Sequence, residues 1–575
     1  MKKRFYLLGM LVAGLTFTGC TDDIDDATGG NNQNAVLEGY VKVAINLPTT
    51  SGQNTRAEND QFNNGTANEY KVGENNIIAF FEGTDETNAT FGAAYSLTPN
   101  FGNVNNDPSN ITTTSDNVIM KAPAKTKADN TLYALVILNA NASVSLSLDG
   151  TLKIGGSEVQ DFEDLTIALA CQEVSTFIGS NKDAFMMTNA PMAKVRGSDS
   201  QLSTSQDVTT LVPVTIYPSE ADAQAAAQAD QIYVERAVAK VTVSAFPSEL
   251  TTIDEGNVLS KAQVELKGWV LDNTNTSLKV VRDVEDQTNG WNSWTSLVNT
   301  SNVSENRFFG TTSPFRVYWG IDGNYGTGET EGLNNVTSLT VDNTWNTKIK
   351  DEDSKPIASY CFENTFSGSN EAAATRVIFA YTVTPNIKED GTSVGADGDA
   401  ATDFILFGKS SAVYTKTTFL AWCNEYMNDL LPKTVDAYTL NTDALNIGKT
   451  FDDEADLYGT NGLFSAGVDE SNAASVLAKL QEVKFYKDNV MYAGSAYIKH
   501  FGEYYTPNPG TNTDGSLLGR YGVLRNNWYE LNVTKVGIGS PDIPDDGGNL
   551  DEDESYINVE INILSWAKRQ QDVEL

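Results

Sequence analysis

Residues 37–48 read LEGYVKVAINLP. Val41, Val43, Ile45 and Leu47 fall on one side of an extended chain, and Lys42, Ala44 and Asn46 fall on the other. Alternation of period two is the mark of a half-buried β-strand. The same grammar recurs along the chain. NNIIAFFEG and TLYALVILNA are short, nearly continuous apolar runs suited to buried strands, and RAVAKVTVSAF, AQVELKGWVL, TRVIFAYTVTP, VKFYKDNVMYAGSAYI and NWYELNVTKVGI extend the series. Turn-rich loops of Asn, Thr, Ser, Gly and Asp separate them, so the expected class is mainly β, built as sandwiches. Lys487, Asp488 and Asn489 read as a hairpin turn inside VKFYKDNVMYAG.

Helical signals are few. SEADAQAAAQADQ, residues 219–231, opens on a serine suited to an N-cap and continues in alanine. Segments 417–431 and 470–483 are two further helices by their apolar spacing. A boundary near Tyr233 divides the chain into an N-terminal sandwich, residues 57–232, and a C-terminal sandwich with large insertions, residues 233–540. Residues 541–575 are an acidic spacer and a last strand.

The 575 residues carry 39 Lys and Arg against 76 Asp and Glu, a net charge of −37. Such a surface repels nucleic-acid phosphates, so no nucleic-acid partner is expected. One histidine, His500, is too few for the usual zinc sets, and no serine lies in a G-x-S-x-G turn. GKS at Gly408 and GKT at Gly448 have Asp403 and Asp443 where a phosphate loop needs its leading glycine. Neither an enzyme nor a cofactor is expected. The acidic loops from Asp322 and Asp390 have the oxygen-rich composition of calcium loops without an EF-hand's spacing, and no metal is assigned to them.

Lys2, Lys3 and Arg4 precede the apolar run Phe5 to Phe17, and LTFTGC ends at Cys20. This reads as a signal peptide, residues 1–20, with a lipoprotein-type Cys20. An acyl-modified Cys20 would anchor the precursor in lipid. Residues 21–56 follow as a propeptide: an acidic tether, the first strand, and then Arg56–Ala57 in TTSGQNTRAEND. Arg56 is the only arginine between Arg4 and Arg196. Cys171, Cys361 and Cys423 remain beyond the leader, read either as buried thiols or with a Cys361–Cys423 bridge.

The C-terminus repeats the grammar of the first strand. After DIPDDGGNLDEDE comes SYINVEINILSWAKRQQDVEL, in which Ile557, Val559, Ile561 and Ile563 alternate with polar residues and Trp566 follows. Such a strand can complete its own sheet, or the spacer can let it leave.

The leader ending at Cys20, Arg56–Ala57 after a first strand, VERAVAKVTV from Val234, and the ending RNNWYELNVTKVG…SYINVEINILSWAKRQQDVEL resemble the fimbrillins of Bacteroidales. Within these the chain looks like the major subunit of the short (minor) fimbriae, a type V pilin. The resemblance implies two tandem transthyretin-like antiparallel β-sandwich domains. It implies export as an outer-membrane lipoprotein and cutting at Arg56–Ala57 by an arginine-specific surface protease. It further implies a first strand (Val41, Val43, Ile45, Leu47) removed by that cut and replaced by the C-terminal strand (Ile557, Val559, Ile561, Ile563, with Trp566) of another copy. Head-to-tail self-polymerisation into a surface fimbrium with accessory subunits follows, in support of adhesion and biofilm. A surface adhesin or fimbrial tip protein that binds host protein or glycan is the competing reading.

Overall fold

The computed structural model describes residues 37–47, 67–101, 115–170, 172–193, 208–251, 262–284, 315–325, 331–365, 373–388, 390, 392, 403–407, 412–426, 438–441, 453–480, 483–487, 490–500, 521–544 and 557–565, the last of these by backbone alone. The first part holds strands β1 (Leu37–Asn46), β2 (Ile77–Gly83), β3 (Thr90–Ser96), β4 (Val118–Lys125), β5 (Thr131–Leu138), β6 (Met187–Asn189) and β7 (Asp230–Arg236). Helix α1 (Glu220–Ala225) precedes β7. The strand order is β3-β2-β5-β6-β7-β1-β4.

β7 turns this path into two facing layers. Its first half, Asp230 to Tyr233, pairs in parallel with β1, and its second half, Val234 to Arg236, pairs antiparallel with β6. The inward residues of β1 therefore pack against Ile78 and Phe80 of β2 and Ala134 and Val136 of β5 in one core. β2 is buried along its whole length. Its opposite face, with Ile77, Ala79 and Phe81, lies in a second core with Leu135, Phe177 and Phe185. Residues buried on both faces read as continuous apolar runs, which is why IIAFF shows no alternation.

The chain leaves this sheet at Arg236 and enters the next at β8 (Ala239–Ala245), so β7 stays with the first sheet a few residues past the expected boundary. There follow β9 (Gln263–Asp272), β10 (Ala358–Cys361) and β11 (Arg376–Thr384). An inserted unit comes next, with β12 (Asp403–Phe407), α2 (Lys416–Tyr426), α3 (Ala473–Leu480) and β13 (Val483–Lys487) around its own core. β14 (Met491–Tyr497), β15 (Asn527–Val536) and β16 (Ile557–Ser565) close the chain. Sheet β10-β8-β15-β16 packs on sheet β9-β11-β14 over a core that includes Val241, Trp269, Phe379, Tyr381 and Tyr529.

The sheets are mainly antiparallel, as expected, with two parallel pairs, β1–β7 and β8–β15. Two local expectations need correction. Lys487–Asn489 does not join a hairpin: β13 pairs with β12 and β14 with β11, so the chain passes there from the inserted unit into the second core. The helix expected over 219–231 stops at Ala225, because Ala226 is extended and Asp230 onward is needed beside β1. Its start is as read, with the Ser219 side chain accepting from the Asp222 N–H. Of the two readings of Cys361 and Cys423, the structure has the buried thiols: both are free and lie in separate cores, with no bridge between them.

Candidate assembly site

β1 is an inner strand. On one side Tyr40 to Val43 pairs antiparallel with Lys121 to Val118 of β4, and on the other Val43 to Asn46 pairs in parallel with Asp230 to Tyr233 of β7. Tyr40 adds a reciprocal bridge, donating to Tyr217 O at 2.8 Å and accepting from the Tyr217 N–H at 2.7 Å. Ile45 donates its N–H to Ser115 Oγ at 2.9 Å and accepts from the Ser115 N–H at 2.8 Å.

Val41, Val43 and Ile45 are 0 % exposed and Leu47 is 1 % exposed. At ~1.5–3 kcal/mol per buried aliphatic side chain, the four contribute roughly 6–12 kcal/mol before ordering costs. The other face is covered as well, since α1 packs against β1 and β4. Lys42 Nζ donates to Ala226 O at 2.6 Å and to Gln224 O at 3.4 Å, placing a cation at the C-terminal end of α1 where the helix dipole is negative. Asn46 Nδ2 donates to Gln231 Oε1 at 3.0 Å. Gly39 passes so close to the chain before α1 that a Cβ there would lie 2.4 Å from Ile216 Cγ2 and 2.4 Å from Tyr217 O.

Taking β1 away would open a slot with two free ladder edges, β4 and β7, over an apolar floor. The chain after β1 is fastened elsewhere. Glu69 accepts from Lys240 Nζ at 2.7 Å and from the Tyr360 hydroxyl at 2.8 Å, and its carbonyl accepts from Arg236 Nε at 2.6 Å. These partners belong to the junction between the two cores and not to β1.

β16 contrasts with β1 in having one ladder partner among the described residues. It lies at the end of its sheet, antiparallel to β15, with Val559 opposite Val533, Ile561 opposite Leu531 and Ile563 opposite Tyr529. The last described residue before the spacer is held, because Arg376 Nη1 donates to Pro544 O at 3.0 Å. Cys20, Arg56, Ala57 and Trp566 lie outside the described residues.

The junction carries a set of buried charges that periodicity did not single out. Glu235 faces Arg282 in a two-bond pair, Nε to Oε1 and Nη2 to Oε2, both 2.9 Å. Arg525 pairs with Glu363 and donates to Lys279 O at 2.7 Å. Arg236 and Lys240 lie beside Glu69, and the Lys240 ammonium sits 3.8 Å from the centroid of the Trp528 ring. Burial pushes the Glu235 carboxyl up and lowers the Arg236 guanidinium to about 10. The available signal was VERAVAKV itself, which sets Glu, Arg and Lys inside an apolar strand.

The other candidates are structural. His500 is 7 % exposed, with Nδ1 2.7 Å from the Tyr529 hydroxyl, and that oxygen also accepts from the Leu524 N–H. Asp322 turns inward onto Thr365 and is pushed up to about 7 by burial. Among the described residues no group of His, Cys, Asp or Glu could hold a metal ion, and no helix is long and apolar enough to cross a membrane.

Residues 485–572, which span β14, β15, the spacer and β16, match the family model "Major fimbrial subunit protein type IV, Fimbrillin, C-terminal". No curated protein matches the chain at a significant level. Among solved structures, a candidate cell adhesion protein from Parabacteroides distasonis is 11 % identical, with 93 % of this chain and 99 % of that chain covered and a TM-score of 0.37. The tip fimbrial protein Mfa3 from Porphyromonas gingivalis, with a C-terminal truncation, is 11 % identical over 92 % and 100 % at a TM-score of 0.30. A fimbrial assembly protein from Parabacteroides distasonis is 11 % identical over 61 % and 82 % at 0.27. Superpositions this partial assign no residue its role.

Proposed function

We propose that this chain, a fimbrillin by its C-terminal region, is the structural subunit of a cell-surface fimbrial shaft, assembled by replacing β1 with the C-terminal strand of another copy. The precursor is exported, lipidated at Cys20 and held at the outer membrane. An arginine-specific protease cuts Arg56–Ala57, β1 departs, and the vacated slot takes residues 557–563 of a neighbour. The contact is head-to-tail and does not close on itself, so it yields a filament. Accessory subunits share the fimbrium, which serves adhesion and biofilm.

The observation that carries this reading is the position of β1. An edge strand could leave without exposing a slot. β1 has ladders on both sides and four apolar side chains in the core, so its loss leaves a template for strand addition. Its connection to the rest of the chain, residues 48–66, contains Arg56, and beyond it Glu69 is held by Lys240.

The test is N-terminal sequencing of protein in sheared surface filaments, together with the Arg56→Ala variant. A start at Ala57, a monomeric Arg56→Ala precursor, and antibody label along the fibre are expected. Filaments built at a normal rate from uncut Arg56→Ala subunits would sink the scheme. Label confined to fibre ends would move the chain to the tip.

A further inference from the structure

The segment that leaves and the segment that arrives share five of ten residues and one apolar pattern. Set EGYVKVAINL, residues 38–47, above ESYINVEINI, residues 554–563. Glu38 meets Glu554, Tyr40 meets Tyr556, Val43 meets Val559, Ile45 meets Ile561 and Asn46 meets Asn562. Val41 meets Ile557 and Leu47 meets Ile563, both aliphatic exchanges. The offset is constant, since 559 − 43 and 562 − 46 are both 516. All four inward positions stay aliphatic, and Asn46, which bonds Gln231, keeps its identity.

We propose that the C-terminal strand of a second copy enters the β1 slot in this one register, each residue n of β1 being replaced by residue n + 516 in the same chain direction. The proposal rests on the strand-replacement reading and adds its pairing. Val559 then faces Val118 and Asp230, Ile561 faces Ile232, and Asn562 faces Tyr233, the partners β1 has in this structure. A strand that had one ladder on β15 gains two, on β4 and β7.

Arg376 holds the chain at Pro544, and the 12 residues 545–556 that follow set the reach of the donor strand, about 40–43 Å at full extension.

The differences are confined to the outer face and the entrance. Asn558 takes the place of Lys42 and loses the bonds to the end of α1. Glu560 takes the place of Ala44, which is 2 % exposed, so its carboxylate reaches water only if neighbouring chain on the outer face gives way. Ser555 takes the place of Gly39, where a Cβ has no room against Ile216 and Tyr217. The arriving strand therefore keeps the inner face and re-forms the outer one.

The test is disulfide trapping in filaments. In a Cys171→Ser background, Ile119→Cys is combined in turn with Tyr556→Cys, Asn558→Cys and Glu560→Cys, Ile119 being the partner of Lys42. A ladder of cross-linked subunits that appears without reductant and collapses with it is expected from the 119/558 pair, and no ladder from the other two. A ladder from 119/556 or 119/560 instead overturns the register and leaves strand replacement standing. Filaments with no ladder from any pair overturn both.

A second arm does not depend on filament growth. A full-length precursor whose residues 38–47 are replaced by the sequence of 554–563 should remain folded and monomeric. One carrying the sequence of 555–564 in those positions should lose its cooperative transition, because a shift of one residue turns the apolar set outward. Equal stability of the two chimeras rejects the correspondence.

Discussion

Ile45 and Ile561 stand at corresponding places in the scheme and act at different stages, so truncating each separates precursor from polymer. Ile45 is 0 % exposed in a core with Ile78, Phe80, Val136 and Ile232. Ile45→Ala removes buried methylene and methyl groups from a site walled by strands on several sides, which allows little collapse. The cost is ~2–5 kcal/mol. At about 2–4 °C per kcal/mol for a cooperative unit of 150–250 residues, the uncut precursor should melt roughly 4–20 °C lower. Once the subunit is cut at Arg56, residue 45 has been discarded, and filaments of Ile45→Ala should dissociate in detergent at the wild-type temperature. Ile561→Ala should do the reverse. Among the described residues β16 has one ladder partner against two for β1, so the precursor's melting should change less, while the filament should lose an aliphatic group from every subunit junction. Differential scanning calorimetry of precursors and a heated-detergent gel of filaments read both effects. Weakened Ile45→Ala filaments, or Ile561→Ala filaments as durable as wild type, would refute the reasoning.

Gly39→Ala should destabilise the uncut precursor by about 1–3 kcal/mol, because the new Cβ meets a backbone oxygen and Ile216, and should leave mature filaments unchanged. An unchanged precursor melting curve would show that the entrance to the slot is looser than this structure has it. Arg282→Met strips the partner from buried Glu235 and should cost ~3–5 kcal/mol in precursor and filament alike, since the junction is retained in both. An effect on one form only would mean that the junction rearranges on assembly. Asp322 provides the pH test. Its folded pKa of about 7 lies above the ordinary value of 3.8, so folding favours the protonated form. That contribution is complete below pH ~4 and is lost as pH rises through ~7, at most ~4 kcal/mol for about three pKa units. Asp322→Asn should therefore melt higher than wild type at pH 8, with the gain shrinking towards pH 5, and a pH-independent difference would reject burial as the cause.

What could be read in advance followed the physics of burial. Alternation in VKVAINL identifies a strand with one apolar face, and continuous runs such as IIAFF identify strands covered on both. Ser219 before an alanine-rich stretch identifies a helix start. Partner choice was not encoded so locally. The parallel pairing of β1 with β7 joins Val43 to Asp230 across the whole first part of the chain, and no turn residue specifies it. Lys487–Asn489 has hairpin chemistry, yet tertiary pairing sends its two flanks to different sheets. The end of α1 is likewise set by the demand for a strand beside β1. Buried Glu235, Arg236 and Arg525 look like surface residues by type, and only their partners across the junction make their burial tolerable.

In the proposed scheme, the need for a cut would follow from competition for one slot. Before cleavage β1 is joined to its own subunit through residues 48–66, and a short tether gives a local concentration on the order of mM. A neighbour's C-terminal strand at ordinary protein concentrations starts far behind, and it must also give up its ladder with β15. A cut at Arg56–Ala57 would lie outside the slot and would leave the four aliphatic side chains, both ladders and the Lys42 bonds as they are here. It converts the return of β1 from a first-order step into a second-order one, so a plug that leaves is diluted away. The arriving strand then acquires the tether advantage, because each subunit already joined holds its donor by the spacer beyond Pro544. Two strands with the same inward pattern could thus share one slot, with connectivity favouring the arriving strand although β1 fits the outer face better.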